Sequence, residues 1–307
     1  MLPPSGDQFE ISAGGYQAVV TEGGAALRTL THGGRDLVDG FGEHEMASGG
    51  RGQVLMPWPN RIRDGRYRFG GREHQLALTE PSRHNASHGL ARWVAWTLEE
   101  HTSRSVALTH RLMAQSGYPW TVDLRIVYDL SADGLTVTQT ATNHSPDPAP
   151  YASGAHPYLR VGNGAVDRLE LTLPAATRAL VDERLLPAGT VAVEGTEFDF
   201  RVTRPLRDLA LNHAFTDLQR DAEGIATTVL RDPASGLGVA LWVDAGHPWL
   251  QLYTADDVPA TARRSVAVEP MTAPADAFNS GVDLVELGPA GSATDELSVA
   301  WGIRALD

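Results

Sequence analysis

What most constrains this chain is how often it is interrupted. Glycine occurs 31 times and proline 19 times in 307 residues. Between those breaks no apolar pattern of helical period lasts more than about two turns. The intervening segments are short, rich in β-branched and aromatic residues, and bounded by Gly, Ser, Asp or Asn, which is the signature of strands joined by turns. Residues 92–99, 105–112, 119–130, 134–142, 151–161, 168–173, 178–181, 225–231, 237–243, 249–255 and 264–269 all read this way. The stretch from Arg66 to Leu76 alternates around Gly70-Gly71 as a hairpin. Residues 41–52 and 182–204 read as loop, and Arg207 to Ala210 as a short helical turn. Roughly fifteen or more such strands predict an all-β fold, a large antiparallel β-sandwich of two packed sheets. With no internal repeat, linker or composition break, residues 1–307 are read as one domain.

The totals narrow the function classes. Hydrophobic residues make up 42% of the chain, enough for a sizeable core. The formal net charge is -13 and there is no basic run, so neither nucleic acid nor an anionic membrane surface is expected as a partner. A neutral, hydroxylated small molecule fits better. The absence of cysteine rules out disulfides, thiolate metal sites and a Cys nucleophile. The first residues show no charged segment followed by an apolar run, and no apolar stretch is long enough to cross a bilayer as a helix. A cytoplasmic protein is expected. The sequons Asn85-Ala-Ser and Asn143-His-Ser then read as chance. GxGxxG, P-loop, GxSxG and HExxH motifs do not occur.

Two segments stand out for chemistry. In Ser265–Glu269, alternation puts Ser265, Ala267 and Glu269 on one face and two valines on the other, before Pro270 and Pro274. Glu269 then lies at a strand end. It is either an edge carboxylate in water or one set at the floor of a concavity behind two small side chains. In Tyr151–Leu159, Ala152, Gly154 and His156 share a face and Pro157 follows. His156 is either a structural histidine bonded to a backbone carbonyl or a second cavity-floor group. His88, in a loop beside Gly89, is either solvated or aimed by a tight turn. Arg61, after Pro57-Trp-Pro-Asn60, is either a surface ion-pair partner or a multidentate donor to hydroxyls. Trp249, Gln251 and Tyr253 share one strand face, either ordinary sheet surface or a sugar platform. A metal held by His84, His88, His156 and Glu269 is disfavoured, because the loop spacing of the first two is not that of a zinc motif.

Asn60-Arg61, Asn85-Ala-Ser-His88-Gly89, Gly117-Tyr-Pro, Thr142-Asn-His-Ser, His156-Pro-Tyr-Leu, Gln251-Leu-Tyr-Thr and Glu269 with Pro274-Ala-Asp-Ala-Phe-Asn279 occur in one order along most of the chain. Together they resemble the aldose 1-epimerase (galactose mutarotase) family. The resemblance implies a β-supersandwich with an open sugar cleft and no cofactor or metal. It implies Glu269 as catalytic base and His156 as acid, with Arg61, His88, Asn212, Asn60 and Gln251 binding the sugar, in a monomer or homodimer. An ionised Glu269 and a partly protonated His156 are expected at neutral pH. Where the family usually has Asp, this chain has Asn212, which keeps hydrogen bonding but loses a charge. Three other readings compete: a mutarotase of a phosphorylated or sulfonated hexose, which needs a basic patch although hairpin alternation sends the nearby Arg63, Arg66 and Arg72 to different faces; a non-catalytic sugar binder; and an accessory domain of a lyase or glycosidase.

Overall fold

Strands form where the sequence alternates. Val122–Ser131 buries every second residue. It pairs antiparallel, without a register break, with Ser105–Leu112 on one side and Gly134–Asn143 on the other. These strands belong to a nine-stranded antiparallel sheet that continues through Glu296–Leu306, Gly238–Val243 and Ala226–Arg231. A second, eight-stranded sheet runs in the order Pro187–Ala192, Ala175–Val181, Asn212–Leu218, Trp249–Tyr253, Val266–Met271, Gly154–Ala155, Val54–Leu55; Tyr158–Leu159 also pairs with Val266–Met271. A four-stranded sheet from the first 36 residues and three two-stranded ribbons complete the topology. This computed structural model describes residues 2–307. The two large antiparallel sheets expected from the sequence are present.

One buried cluster joins the sheets. It contains Leu124, Ile126, Val137, Leu241 and Ile303 from the nine-stranded sheet and Phe215, Leu250, Leu252, Val266 and Val268 from the other. Each such side chain contributes about 1.5–3 kcal/mol by leaving water. A polar tie also crosses this core, where the Gln139 amide donates to the Gly154 carbonyl at 3.1 Å. Among the described residues the single α-helix is Ala277–Ser280, and no helix is long and apolar enough to cross a membrane.

Local expectations fail in instructive places. Pro270 does not end its strand; Val266–Met271 runs through it, with Pro270 opposite Leu250. Residues 151–161 are not one strand but three short pieces, Ala149–Tyr151, Gly154–Ala155 and Tyr158–Leu159, because the chain there changes partners from one neighbour to the next. Residues 92–96 are irregular and the strand starts only at Thr97. That apolar run is held by backbone bonds at Gly24–Val94 and Glu22–Trp96 against the N-terminal segment. Residues 182–204 contain the strand Pro187–Ala192, and Arg207–Asp208 is a turn without a helix. Asn85 and Asn143 are fully buried, with side-chain amides bonded to Glu80 and to the Gly288 carbonyl, so neither sequon is open to modification.

Candidate active site

Val266–Met271 is buried on both faces. Val266 and Val268 enter the core between the sheets. Ala267, Glu269 and Met271 point the other way and stand opposite Tyr253, Gln251 and Trp249. Trp249 and Met271 pack with Ala179 and Ala214 into a small apolar cluster. The indole donates to Asp283 at 2.7 Å. Trp249 therefore shares the expected face but is buried away from the cavity, and only Gln251 and Tyr253 of that trio line it.

The cavity has a volume of about 300 Å³, and Glu269, His156, His88, Asn60, Arg61, Gln251 and Asn212 all line it. A two-stranded ribbon and its end supply three of these seven, Arg61, Asn60 and His88. Arg61–Arg63 pairs with Asn85–Ser87. Just beyond its end Asn60 and His88 both adopt left-handed backbone, with φ of 55° and 60°. The His88 amide donates to the Asn60 carbonyl at 2.8 Å. Glycine is required next: a Cβ on Gly89, at φ +71°, would lie 2.0 Å from the Met56 carbonyl. This tight turn aims His88 into the site.

Arg61 is neither free nor at the surface. Its Nε and Nη2 donate to Glu80 at 2.7 and 3.0 Å, and Nη1 donates to the Asn60 side-chain oxygen at 3.1 Å. Arg83 and Asn85 also bond Glu80. This web holds the Glu80 carboxyl below its ordinary range, the guanidinium contacts outweighing its partial burial. A chain of amides crosses the floor: Asn60 reaches Gln251 at 3.5 Å, and Gln251 donates to Asn212 at 2.9 Å.

At the centre, His156 Nε2 is 3.3 Å from Glu269 Oε1. The two residues are 5% and 2% exposed, so both are taken out of water. His156 is not carried by a strand; its backbone is pinned instead, its amide donating to Gln53 and its carbonyl accepting from Gly52, each at 3.0 Å. Oε2 of Glu269 and Nδ1 of His156 make no hydrogen bond within the protein. Burial pushes Glu269 up to about 8, opposed by the charge of Arg61. Burial pushes His156 down to about 3, with Arg51 and Arg92 acting in the same direction. Burial and the neighbouring His156, Arg92 and Arg61 keep His88 neutral as well. Desolvation favours a carboxylic acid beside a neutral imidazole, the direction opposite to the ionised Glu269 and partly protonated His156 expected at neutral pH. Both forms hold the same single proton, so moving it from Oε1 to Nε2 needs no exchange with solvent.

No group of three or more His, Asp or Glu side chains among the described residues is placed to hold a metal ion. His84, considered with such a cluster, is exposed outside the cavity. The basic trio lies elsewhere too. Arg63 faces Asp182 and Asp276, Arg66 bonds Gln75, and Arg72 lines a separate depression beside Trp120. Residues overlooked in the sequence also border the site: Glu80, Arg92, Trp93, and the glycines Gly49 and Gly50. Only the glycine pair carried a signal, since adjacent glycines often mark a close approach.

The sandwich with a buried Glu–His pair at the floor of a polar cleft fits one class of protein, the aldose epimerase-like β-sandwich proteins. The aldose 1-epimerase family model matches residues 7–299, and the chain belongs to that family. It is 36% identical over 284 residues to the uncharacterized protein YihR of Escherichia coli K12, covering 92% of this chain and 89% of that one. It is 30% identical over 245 residues to human galactose mutarotase, covering 74% and 70%. The fold superposes on the aldose epimerase homologue of C. elegans with a TM-score of 0.86 at 21% identity, covering 98% and 99% of the two chains. It also superposes on galactose 1-epimerase of Lactobacillus acidophilus with a TM-score of 0.79 at 21% identity, covering 95% and 92%. The galactose mutarotase-like sandwich anticipated from the motifs is the fold of this protein.

Proposed function

We propose that this protein is a mutarotase that interconverts the α and β anomers of a free hexose such as glucose or galactose. The observation that carries this reading is the 3.3 Å approach of His156 Nε2 to Glu269 Oε1 at the buried floor of a polar cleft of about 300 Å³. Glu269 as carboxylate removes the proton of the C1 hydroxyl, and His156 delivers a proton to the ring oxygen. The C1–O5 bond breaks, giving an open-chain aldehyde. Rotation about C1–C2 and reclosure on the other face, with the two groups exchanging roles, gives the second anomer and restores the proton count. The internal transfer from Glu269 to His156 prepares the pair. Sugar hydroxyls donating to the carboxylate, and the positive charge of Arg61, favour that form on binding. Neutral His88, Arg61, Asn60, Gln251 and Asn212 orient the ring.

The test is polarimetry on freshly dissolved α-D-glucose and α-D-galactose with the wild type, Glu269→Gln and His156→Asn. Each substitution is expected to lower kcat by about 10²–10⁴-fold. Wild-type rates in both variants would remove the assignment. Sugar binding by calorimetry without any mutarotation would favour a non-catalytic binder.

One observation favours a second reading. Arg92 lines the cavity with its charged form penalised by burial, and it has no carboxylate partner among the described residues. A phosphorylated or sulfonated hexose would supply an anionic partner for it. A higher kcat/KM on glucose 6-phosphate than on glucose would favour that substrate.

A further inference from the structure

His156 is oriented in an unusual way. A working imidazole is commonly held by a hydrogen bond to its second nitrogen, but Nδ1 of His156 makes none within the protein. Packing must fix the ring instead. The Tyr158 ring stacks on it, with centroids 4.9 Å apart and planes 16° from parallel. Gly50 lies against its edge, where a Cβ would be 2.7 Å from His156 Cδ2. His88 approaches edge-on at 5.7 Å, and Glu269 meets Nε2.

The stack continues behind Tyr158. The Arg51 guanidinium carbon is 4.5 Å from the centre of the phenol ring. The phenol donates to the Gly49 carbonyl at 2.7 Å, and Arg51 Nη1 donates to the Ser48 carbonyl at 3.1 Å. Arg51 is almost fully buried and bonds Asp39 through Nε and Nη2 at 3.3 and 3.1 Å. That carboxylate is shared: Arg264 reaches it at 2.9 Å and Arg160 at 3.5 Å. Arg160 also faces Asp36 at 3.8 Å, so three guanidinium groups meet two carboxylates and the region behind Tyr158 keeps a surplus of one positive charge.

We propose that Arg51 and Tyr158 are positioning residues for His156: the stack sets the imidazole plane so that Nε2 meets Glu269, and the surplus positive charge makes the transient imidazolium a stronger acid toward the sugar ring oxygen. The kinetic half rests on the mutarotase reading; the orienting half does not. The charges facing His156 act in known senses. Burial opposes the imidazolium most, Arg51 and Arg92 oppose it too, and His88 is neutral; a carboxylate at Glu269, 3.3 Å away, would favour it. Removing Arg51 therefore makes His156 easier to protonate and a weaker proton donor.

Arg51→Gln, Tyr158→Phe and Tyr158→Leu of the full chain separate charge from shape. Asp39 is not stranded by the first, since Arg264, Arg160 and the Ser265 hydroxyl still hold it. The readouts are imidazole ¹⁵N shifts between pH 4 and 8, with the His156 signal identified by its loss in His156→Asn, and kcat with KM by polarimetry. In the wild type His156 stays neutral across that range as one tautomer. Arg51→Gln should begin to protonate within it and lose about tenfold in kcat, with KM moving by less than about threefold. Tyr158→Leu should mix the tautomers and lose about 10–100-fold in kcat, while Tyr158→Phe keeps the stack and stays near wild type. An Arg51→Gln protein with wild-type shifts and kcat overturns the proposal, as does a Tyr158→Leu protein with a wild-type tautomer and rate. If Arg51→Gln does not fold, the two Tyr158 variants decide alone. A wild type inactive on every sugar would sink the mutarotase reading while the ¹⁵N shifts still decide the orienting role.

Discussion

Replacing Glu269 with Gln should stabilise the protein at pH 8 and do so less and less as the pH falls. Glu269 is 2% exposed, one of its oxygens meets only His156, and the other makes no hydrogen bond in the protein. Burial raises its folded-state pKa from 4.5 to about 8. The sign follows from proton linkage. Between those values the folded protein keeps a proton that the unfolded chain has lost, so stability is fully present below about pH 4.5 and falls as the pH rises through 8. The slope is about 1.4 kcal/mol per pH unit, and the whole swing is on the order of 5 kcal/mol before relaxation and water entry reduce it. Gln cannot ionise and escapes this loss. His156 contributes an opposite slope at lower pH, because its folded pKa is depressed to about 3. Because the variant changes the neighbour of that imidazole, 3.3 Å away, the same substitution is also compared in a His156→Asn background, where the imidazole slope is gone. Urea unfolding of wild type and Glu269→Gln at half-unit steps from pH 4.5 to 8.5 measures the difference directly. A stability gap growing by roughly 3–5 kcal/mol in favour of the variant is expected. A pH-independent gap, or one that shrinks as the pH rises, would show that Glu269 is ionised in the folded protein and refute the reasoning.

Three further outcomes follow from the same geometry. Glu80→Gln removes the charged anchor of Arg61 and Arg83; KM for the preferred sugar should rise about 5–50-fold with a smaller change in kcat, as expected for a lost orienting group, and steady-state polarimetry reads both. Asn212→Asp keeps the acceptor for Gln251, 2.9 Å away, so thermal stability should change little while the ratio of kcat/KM for galactose over glucose shifts; an unchanged ratio would show that the side chain does not read the sugar. Gly89→Ala drives a Cβ into the Met56 carbonyl at φ +71° and should cost about 2–4 kcal/mol in urea unfolding.

The sequence pointed to residues that the fold brings to one cavity, partly for local reasons that the structure corrects. The alternation of Val266, Val268 and the small residues around Glu269 located a carboxylate on an otherwise apolar strand, and the structure places that residue in the cavity. Pro270 suggested a strand end, yet the buried strand Val266–Met271 runs through it, with Pro270 opposite Leu250. His156 was legible through the small residues before it. Its support was not, because Arg51, Asp39, Arg160 and Arg264 come from distant segments that only the folded chain brings to one carboxylate. Glu80 was invisible for a similar reason: it lies next to a proline in a polar stretch, and its importance arises entirely from meeting Arg61 across the ribbon. The protonation of the central pair also escaped sequence reading, since burial sets it and burial is a property of the assembled sheets.

The amide chain across the cavity floor has a consequence for how such a site can diverge. Glu269, Gln251 and Asn212 sit on three successive strands, Val266–Met271, Trp249–Tyr253 and Asn212–Leu218. Neighbouring strands lie about 4.8 Å apart. Hydroxyls two carbons apart on a pyranose ring are separated by a similar distance. Under the proposed reading, with a hexose over this floor, the sheet would act as a ruler laid beneath it, each strand offering one graduation. Exchanging a side chain at a single graduation alters which hydroxyl configuration is read there, while the backbone and the neighbouring graduations stay where they are.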